Sequence, residues 1–389
     1  MDKDEKNTYT SSVKEEYEQE KDRVAAAVVD KEQTSWEAAV TQLLTLPRNK
    51  NESASVLLPP SFIGQEETWD CGIACLQMVL LWIQQQQQQR ISVSIASRAT
   101  TITTASQLRQ SLLRDVGTQS VWTADLMWLL DQYITNNSSA PTPPPARNDD
   151  NKVEGDNRAV ARYLFCSQCL QVNPVLQSFD YYCQAFARDQ QRVQRILEEF
   201  MLRQQQHDGL RYGRLIQHDN LSLDQVVRLV ELPYCVAIAL VDNSILVPTS
   251  YTSVTTVDTT TNHSHPHQQQ LHLPSCRQQA YVGHFILLVG VSRDPQHLQQ
   301  ASAALRGVDH QNNNELEEEE EEEEYCFLVY NPANGHDAQK QQQQQSMLQQ
   351  SPPTCLSARL FEQAWSASGT DKDILFVVAG CGGGGSSSA

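Results

Sequence analysis

The chain has 389 residues, of which 40% are hydrophobic, so part of it has too few apolar side chains to pack into a core. Its formal net charge of −18 comes from 47 acidic and 29 basic side chains. A uniformly acidic surface would repel nucleic acid and anionic lipid, but the charge is uneven: residues 1–55 hold 12 acidic and 8 basic side chains, and Glu315 with Glu317–Glu324 adds nine more acidic groups.

In chain order, residues 1–55 are charged and polar apart from a short amphipathic patch near Trp36–Leu46, and predict a disordered extension. They open Met1-Asp2-Lys3-Asp4-Glu5-Lys6, unlike a secretory leader, and no apolar run approaches a membrane span. A cytoplasmic protein with reduced thiols is expected, with a nuclear location left open. Asp70–Ile83 places apolar residues at 73, 76, 80 and 83, a helical spacing that Gln84–Gln89 extends or ends. Thr123–Tyr133 and Asp189–Arg203 also read as helices. Strands are predicted at Ala161–Cys166, Cys235–Val241, Ser244–Val247, Gly283–Val291, Tyr325–Tyr330 and Ile374–Val378. Polar, low-complexity inserts fall near 136–156, 249–279, 297–324 and 335–354, and 381–389 is a Gly/Ser tail. Helices first and strands later predict an α+β domain over 56–380: a helical part packed on an antiparallel sheet, with the inserts looping outward.

The chemistry concentrates in Gln65-Glu66-Glu67-Thr68-Trp69-Asp70-Cys71-Gly72-Ile73-Ala74-Cys75. Cys71 starts a helix, and Asp70 is a suitable N-cap. A thiol there meets unpaired backbone N–H groups and the positive dipole end, which predicts a stabilised thiolate. Gly72 leaves room beside the sulfur. Cys75, one turn on, is read as packing, and Trp69 as either cleft wall or core. A nucleophilic thiol needs a base. Among ten histidines His284 stands out, at the start of an apolar strand, where it is either a satisfied core residue or the base. Asn331 ends the next clear strand, and antiparallel pairing of the two would put it beside His284.

Gln65, then Asp70-Cys71-Gly72-x-x-Cys75, Gly283-His284-Phe285 and Tyr330-Asn331-Pro332 together resemble the papain-like cysteine peptidases, most of all the bacteriocin-processing branch. The resemblance implies a papain-like fold, a triad of Cys71, His284 and Asn331, and Gln65 as oxyanion donor. It implies a thiol hydrolase of amide, peptide or similar acyl bonds with a peptide or protein substrate.

Six ordered blocks resemble a second family, that of guanylyl cyclase domain-containing protein 1, which includes the plant soluble guanylyl cyclase 1 proteins. They are Trp69–Cys75, Ser120–Leu126, Phe165–Gln168, Gly283–Ile286, Asn331–Ala333 and Gly369–Phe376, within about residues 57–380. The family name implies conversion of GTP to cyclic GMP, with Mg²⁺ or Mn²⁺ as cofactor in that case alone. Such chemistry needs carboxylates holding metal at the triphosphate, and no Gly-rich phosphate loop or paired acidic strand positions stand out. A catalytically silent papain fold serving as a binding module is the third reading.

No cofactor or structural metal is expected for the thiol reading. Cys166-Ser167-Gln168-Cys169 is a single C-x-x-C, short of the four ligands zinc requires. His263, His265, His267, His272 and Cys276 read as a solvated polar loop. Asp125 reads as a first-turn acid and Thr123 as its cap, and Asp371 and Asp373 as turn caps beside the last strand.

Overall fold

A computed structural model describes residues 40, 60–94, 104–138, 161–178, 186–206, 213–218, 221–232, 234–246, 282–309, 325–334 and 352–379. The expectations for 1–55 (Val40 apart), most of 136–156, the whole of 249–279, and 381–389 lie outside them.

Helix α1 (Cys71–Ser94) is the apolar centre of the helical part. Ile73, Ala74, Cys75, Leu76, Met78, Val79, Leu80 and Ile83 are all fully buried, so α1 is covered on more than one face. Around it stand α2 (Ala105–Val116), α3 (Thr123–Ser138) and, after β1 (Ala161–Ser167), α4 (Phe186–Gln206). Thr104 and Gln107 form a capping box that starts α2, and Gly117, at φ 63°, ends it in the left-handed conformation glycine tolerates. Gln77 Nε2 donates to Ala105 O at 2.7 Å and ties α1 to the start of α2.

The remaining elements are β2 (Gly213–Gln217), α5 (Leu223–Val230), β3 (Cys235–Asp242), the single turn α6 (Asn243–Leu246), β4 (Gly283–Ser292), α7 (Pro295–Asp309), β5 (Cys326–Tyr330), β6 (Thr354–Ser357), α8 (Ala358–Trp365) and β7 (Ile374–Ala379). The strands form one seven-stranded sheet in the order β2-β1-β7-β3-β4-β5-β6. Every neighbouring pair is antiparallel except β1–β2. The connection through α4 allows that exception, because parallel neighbours need a long crossover.

The sheet is covered on both sides. Phe165, Ile238, Phe285, Leu375 and Val377 face the core shared with α1–α4. Cys166, Ala239, Ile286, Phe327 and Phe376 face a second core with α5 and α8. This alternation is the period of two of a strand, and double coverage explains why β3, β4 and β7 read as nearly continuous apolar runs. The expected helical layer on one face is therefore joined by helices on the other.

Three expectations are corrected. Residues 244–246 of the expected strand Ser244–Val247 lie instead in α6: Asp242 Oδ1 accepts from Ser244 N at 2.9 Å where the chain enters that turn. Residues 297–309 of the expected insert continue α7. Thr354, at the end of the expected 335–354 insert, already belongs to β6, which pairs with β5 at the sheet edge.

Candidate active site

Two neighbouring strands and one helix bring the four expected residues together. His284 is the second residue of β4, and Val241 of β3 is its partner. On the other side of β4 the pairing with β5 begins at Leu287–Tyr330, so residues 284–286 lie beyond the last residue of β5. The N-terminal end of α1 occupies that vacancy in the ladder. Phe285 N–H donates to Cys71 Sγ at 3.5 Å, and Cys75 Sγ–H donates to Phe285 O at 3.6 Å. Two thiols one helical turn apart thus satisfy the backbone polar groups of a strand residue that lacks a ladder partner on that side.

His284 is 5% exposed, and its Nε2 lies 2.8 Å from Asn331 Oδ1. Asn331 follows β5, and its Oδ1 also accepts from Ala333 N–H at 3.0 Å. An atom that accepts from a backbone N–H is the amide oxygen, so the amide orientation is determined. Gln65 N–H donates to Pro332 O at 3.1 Å, which joins the segment before α1 to the segment after β5. Phe62 and Tyr330 pack nearby, with ring centroids 5.6 Å apart. Gln65 Oε1 is buried and makes no hydrogen bond.

Asp70 has a second task besides the expected cap. Its carbonyl accepts the first α1 bond, from Ala74 N at 2.9 Å, so it does occupy the cap position. Its fully buried carboxylate, however, pairs with Arg109 of α2 and accepts from Glu67 N–H at 3.3 Å. Arg109 Nε also meets Glu66 at 3.2 Å. The ion pair therefore clamps the Gln65–Asp70 loop and α1 to α2. Sequence reading missed Arg109, which lies in no motif.

Gly72 is needed for contact with the strand, not for space beside the sulfur. A Cβ there would lie 2.8 Å from Phe285 Cδ2 and 3.2 Å from Leu126 Cδ1. Trp69 is half-buried.

The expected low thiol pKa is also corrected. Cys71 is 6% exposed, and burial raises its thiol above the ordinary value. Hydrogen bonds from the backbone N–H groups of Phe285, Gly72 and Cys71 itself oppose the shift without overcoming it. Burial likewise holds His284 below the ordinary imidazole value, against the contact with Asn331. Both shifts favour the uncharged forms, thiol and imidazole.

The other candidates fall elsewhere. Cys166 is fully buried in the second core and Cys169 is half-buried beyond β1. Asp125 Oδ2 accepts from Trp122 N–H at 2.9 Å and from Arg192 Nη2 at 3.0 Å, so it caps α3 and anchors α4; burial, moderated by Arg192, pushes it up to about 6. Among the described residues no group of three or more His, Cys, Asp or Glu is placed to hold a metal ion, and no helix is long and apolar enough to cross a membrane.

No solved structure matches the chain. The family model described as guanylylate cyclase matches residues 157–377, more than half the chain, and takes in His284, Asn331 and the Gly369–Phe376 block. Gln65 and Cys71 precede the matched stretch. The chain belongs to the guanylylate cyclase family.

Proposed function

We propose that Cys71, His284, Asn331 and Gln65 are the working residues of a papain-type thiol hydrolase that acts on amide, peptide or similar acyl bonds. The observation that carries this reading is the contact between His284 Nε2 and Asn331 Oδ1, beside a strand N–H bonded to Cys71 Sγ. Asn331 Oδ1 only accepts, so neutral His284 carries its proton on Nε2 and keeps Nδ1 as the basic nitrogen. A ring held in this tautomer suits a base for a thiol one backbone step away.

In the proposed reaction, Nδ1 takes the Cys71 proton as substrate displaces water from the site. The sulfur lone pair attacks the acyl carbon, and the carbonyl π pair moves to oxygen. The Cys71 backbone N–H and the Gln65 amide receive that oxyanion. The donor of the Gln65 amide in this role is Nε2–H, since Oε1 can only accept. Collapse expels the amine, which takes the proton from Nδ1. Water, deprotonated by the same nitrogen, then releases the carboxylic acid and restores the thiol.

The test uses p-nitrophenyl acetate, whose activated ester opens to a competent thiol. Acetyl transfer to Cys71, located by peptide mass spectrometry, and subsequent release are expected in the wild type. Release that is undiminished in Cys71→Ala overturns the proposal. The family description supplies a second reading, conversion of GTP to cyclic GMP. Cyclic GMP formation that depends on Mg²⁺ or Mn²⁺ and persists in Cys71→Ala would favour it. Absence of both activities favours the silent binding module.

A further inference from the structure

A pair of thiols lies at the edge of the sheet farthest from β2. Cys326 begins β5, and Cys355 is the second residue of β6. Cys326 is the ladder partner of Ser357, and Cys355 that of Leu328. Side chains two positions apart share a face of a strand, so Cys326 and Cys355 are diagonal neighbours on one face. Their thiols are hydrogen-bonded: Cys326 Sγ–H donates to the sulfur of Cys355. Cys355 Sγ–H in turn donates to Gln300 Oε1 of α7 at 3.7 Å.

The two thiols differ in access. Cys326 is fully buried, with Ser292 of β4 as its ladder partner on the other side. Cys355 is half-buried, on the four-residue strand that ends the sheet. Burial raises the Cys355 thiol above the ordinary value; the hydrogen bond from Cys326 opposes this shift, and the Asp294 carboxylate adds to it. A reachable sulfur backed by a second sulfur in contact with it is the arrangement in which one thiol attacks and the other resolves. Diagonal neighbours stand about 7–8 Å apart at Cα, and a disulfide closes at about 4.4–6.8 Å. Bonding therefore requires one strand to shift toward the other. Among the described residues no strand pairs with the outer side of β6, so β6 is the one free to move.

We propose that Cys326 and Cys355 form a reversible dithiol–disulfide site that exchanges with small-molecule disulfides of the glutathione kind. The Cys355 thiolate, its proton given to water, attacks one sulfur of oxidised glutathione. That S–S bond breaks, and one glutathione leaves as a thiolate and takes up the proton. The Cys326 sulfur, losing its own proton to water, then attacks Cys355 Sγ in the mixed disulfide. The second glutathione leaves and is protonated in the same way. Two protein thiols are oxidised to one disulfide, and one glutathione disulfide is reduced to two thiols. The new bond ties the edge strand to β5 and closes the chain between them into a loop that contains Asn331. The strain of drawing β6 inward keeps the bond reducible. This site does not rest on turnover at Cys71, so either proposal stands or falls alone.

The test treats the full-length protein with oxidised glutathione, blocks remaining thiols with N-ethylmaleimide, and maps peptides by mass spectrometry without reduction. A Cys326–Cys355 cross-linked peptide is expected in the wild type and equally in Cys71→Ala, and it should disappear in excess reduced glutathione. In Cys326→Ala the reaction should stop at the mixed disulfide, with glutathione retained on Cys355. In Cys355→Ala, incorporation at buried Cys326 should be about tenfold or more below that at Cys355 in Cys326→Ala. Cys355→Ala, at the half-buried position, keeps the test available if Cys326→Ala does not fold. A wild type without the cross-linked peptide overturns the proposal. So does a bond that resists excess reduced glutathione, or incorporation at Cys326 that is as fast in folded Cys355→Ala as the reaction of the wild type.

Discussion

Cys71 receives three backbone N–H groups, yet burial outweighs them and favours the protonated thiol. The consequence is a pH profile. Alkylation of Cys71 by iodoacetamide is expected to accelerate steadily from about pH 6 toward alkaline pH, with no fast phase at the acid end. Residue-resolved labelling measures it, and a plateau already reached at about pH 6 would mean an ion pair at rest. His284 gives a stability test. Its folded pKa lies below the ordinary value of about 6.5, so its neutral form favours folding above that pH and the contribution is lost as pH falls through it. The wild type should lose more melting temperature between pH 7 and about pH 5 than His284→Gln does. An equal loss in both would show that His284 contributes nothing. At this scale the motif residues were legible, since Gln65, Cys71, His284 and Asn331 each sit in a short recognisable block. The direction of the thiol shift was not, because the cap chemistry is local and the burial that overrides it comes from β4 and the helices around α1.

An ion pair and a glycine contact both help to position helix α1. Arg109→Ala leaves the fully buried Asp70 carboxylate without its cation, which is expected to cost about 3–5 kcal/mol in urea unfolding. Asp70→Asn combined with Arg109→Met should recover much of that loss; a double variant as unstable as the single one would place the energy elsewhere. Gly72→Ala pushes against the Phe285 ring, and a loss of about 1–3 kcal/mol is expected as the ring or the helix shifts. No measurable loss would show that the interface yields freely. The capping boxes Thr104-x-x-Gln107 and Ser222-x-x-Gln225 frame α2 and α5, two helices the sequence reading passed over. The partnership of Arg109 with Asp70 was not readable, because it joins residues 39 apart and follows no spacing rule.

At the scale of the molecule, the apolar periods locate β1, β3, β4, β5 and β7, while β2 and β6 at the two sheet edges are short and gave little pattern. Strand order and the parallel β1–β2 pair depend on long-range packing and have no local signature. The family match begins after α1–α3, yet those helices supply much of the core on one face of the sheet. A fragment beginning at residue 157 should therefore expose Phe165, Ile238 and Phe285 and fail to unfold cooperatively. A sharp calorimetric transition from that fragment would show that the matched segment is a self-sufficient unit.

The most direct test of the thiol site follows acetyl on Cys71 after exposure to p-nitrophenyl acetate, comparing wild type with His284→Ala and Gln65→Ala. The wild type should acquire acetyl on Cys71 and lose it to water. His284→Ala should slow the cycle by about 10²–10⁴-fold and Gln65→Ala by about 10²–10³-fold. Acetyl that never reaches Cys71, or that arrives and leaves at the same rates in all three proteins, would contradict a papain-type role for these residues.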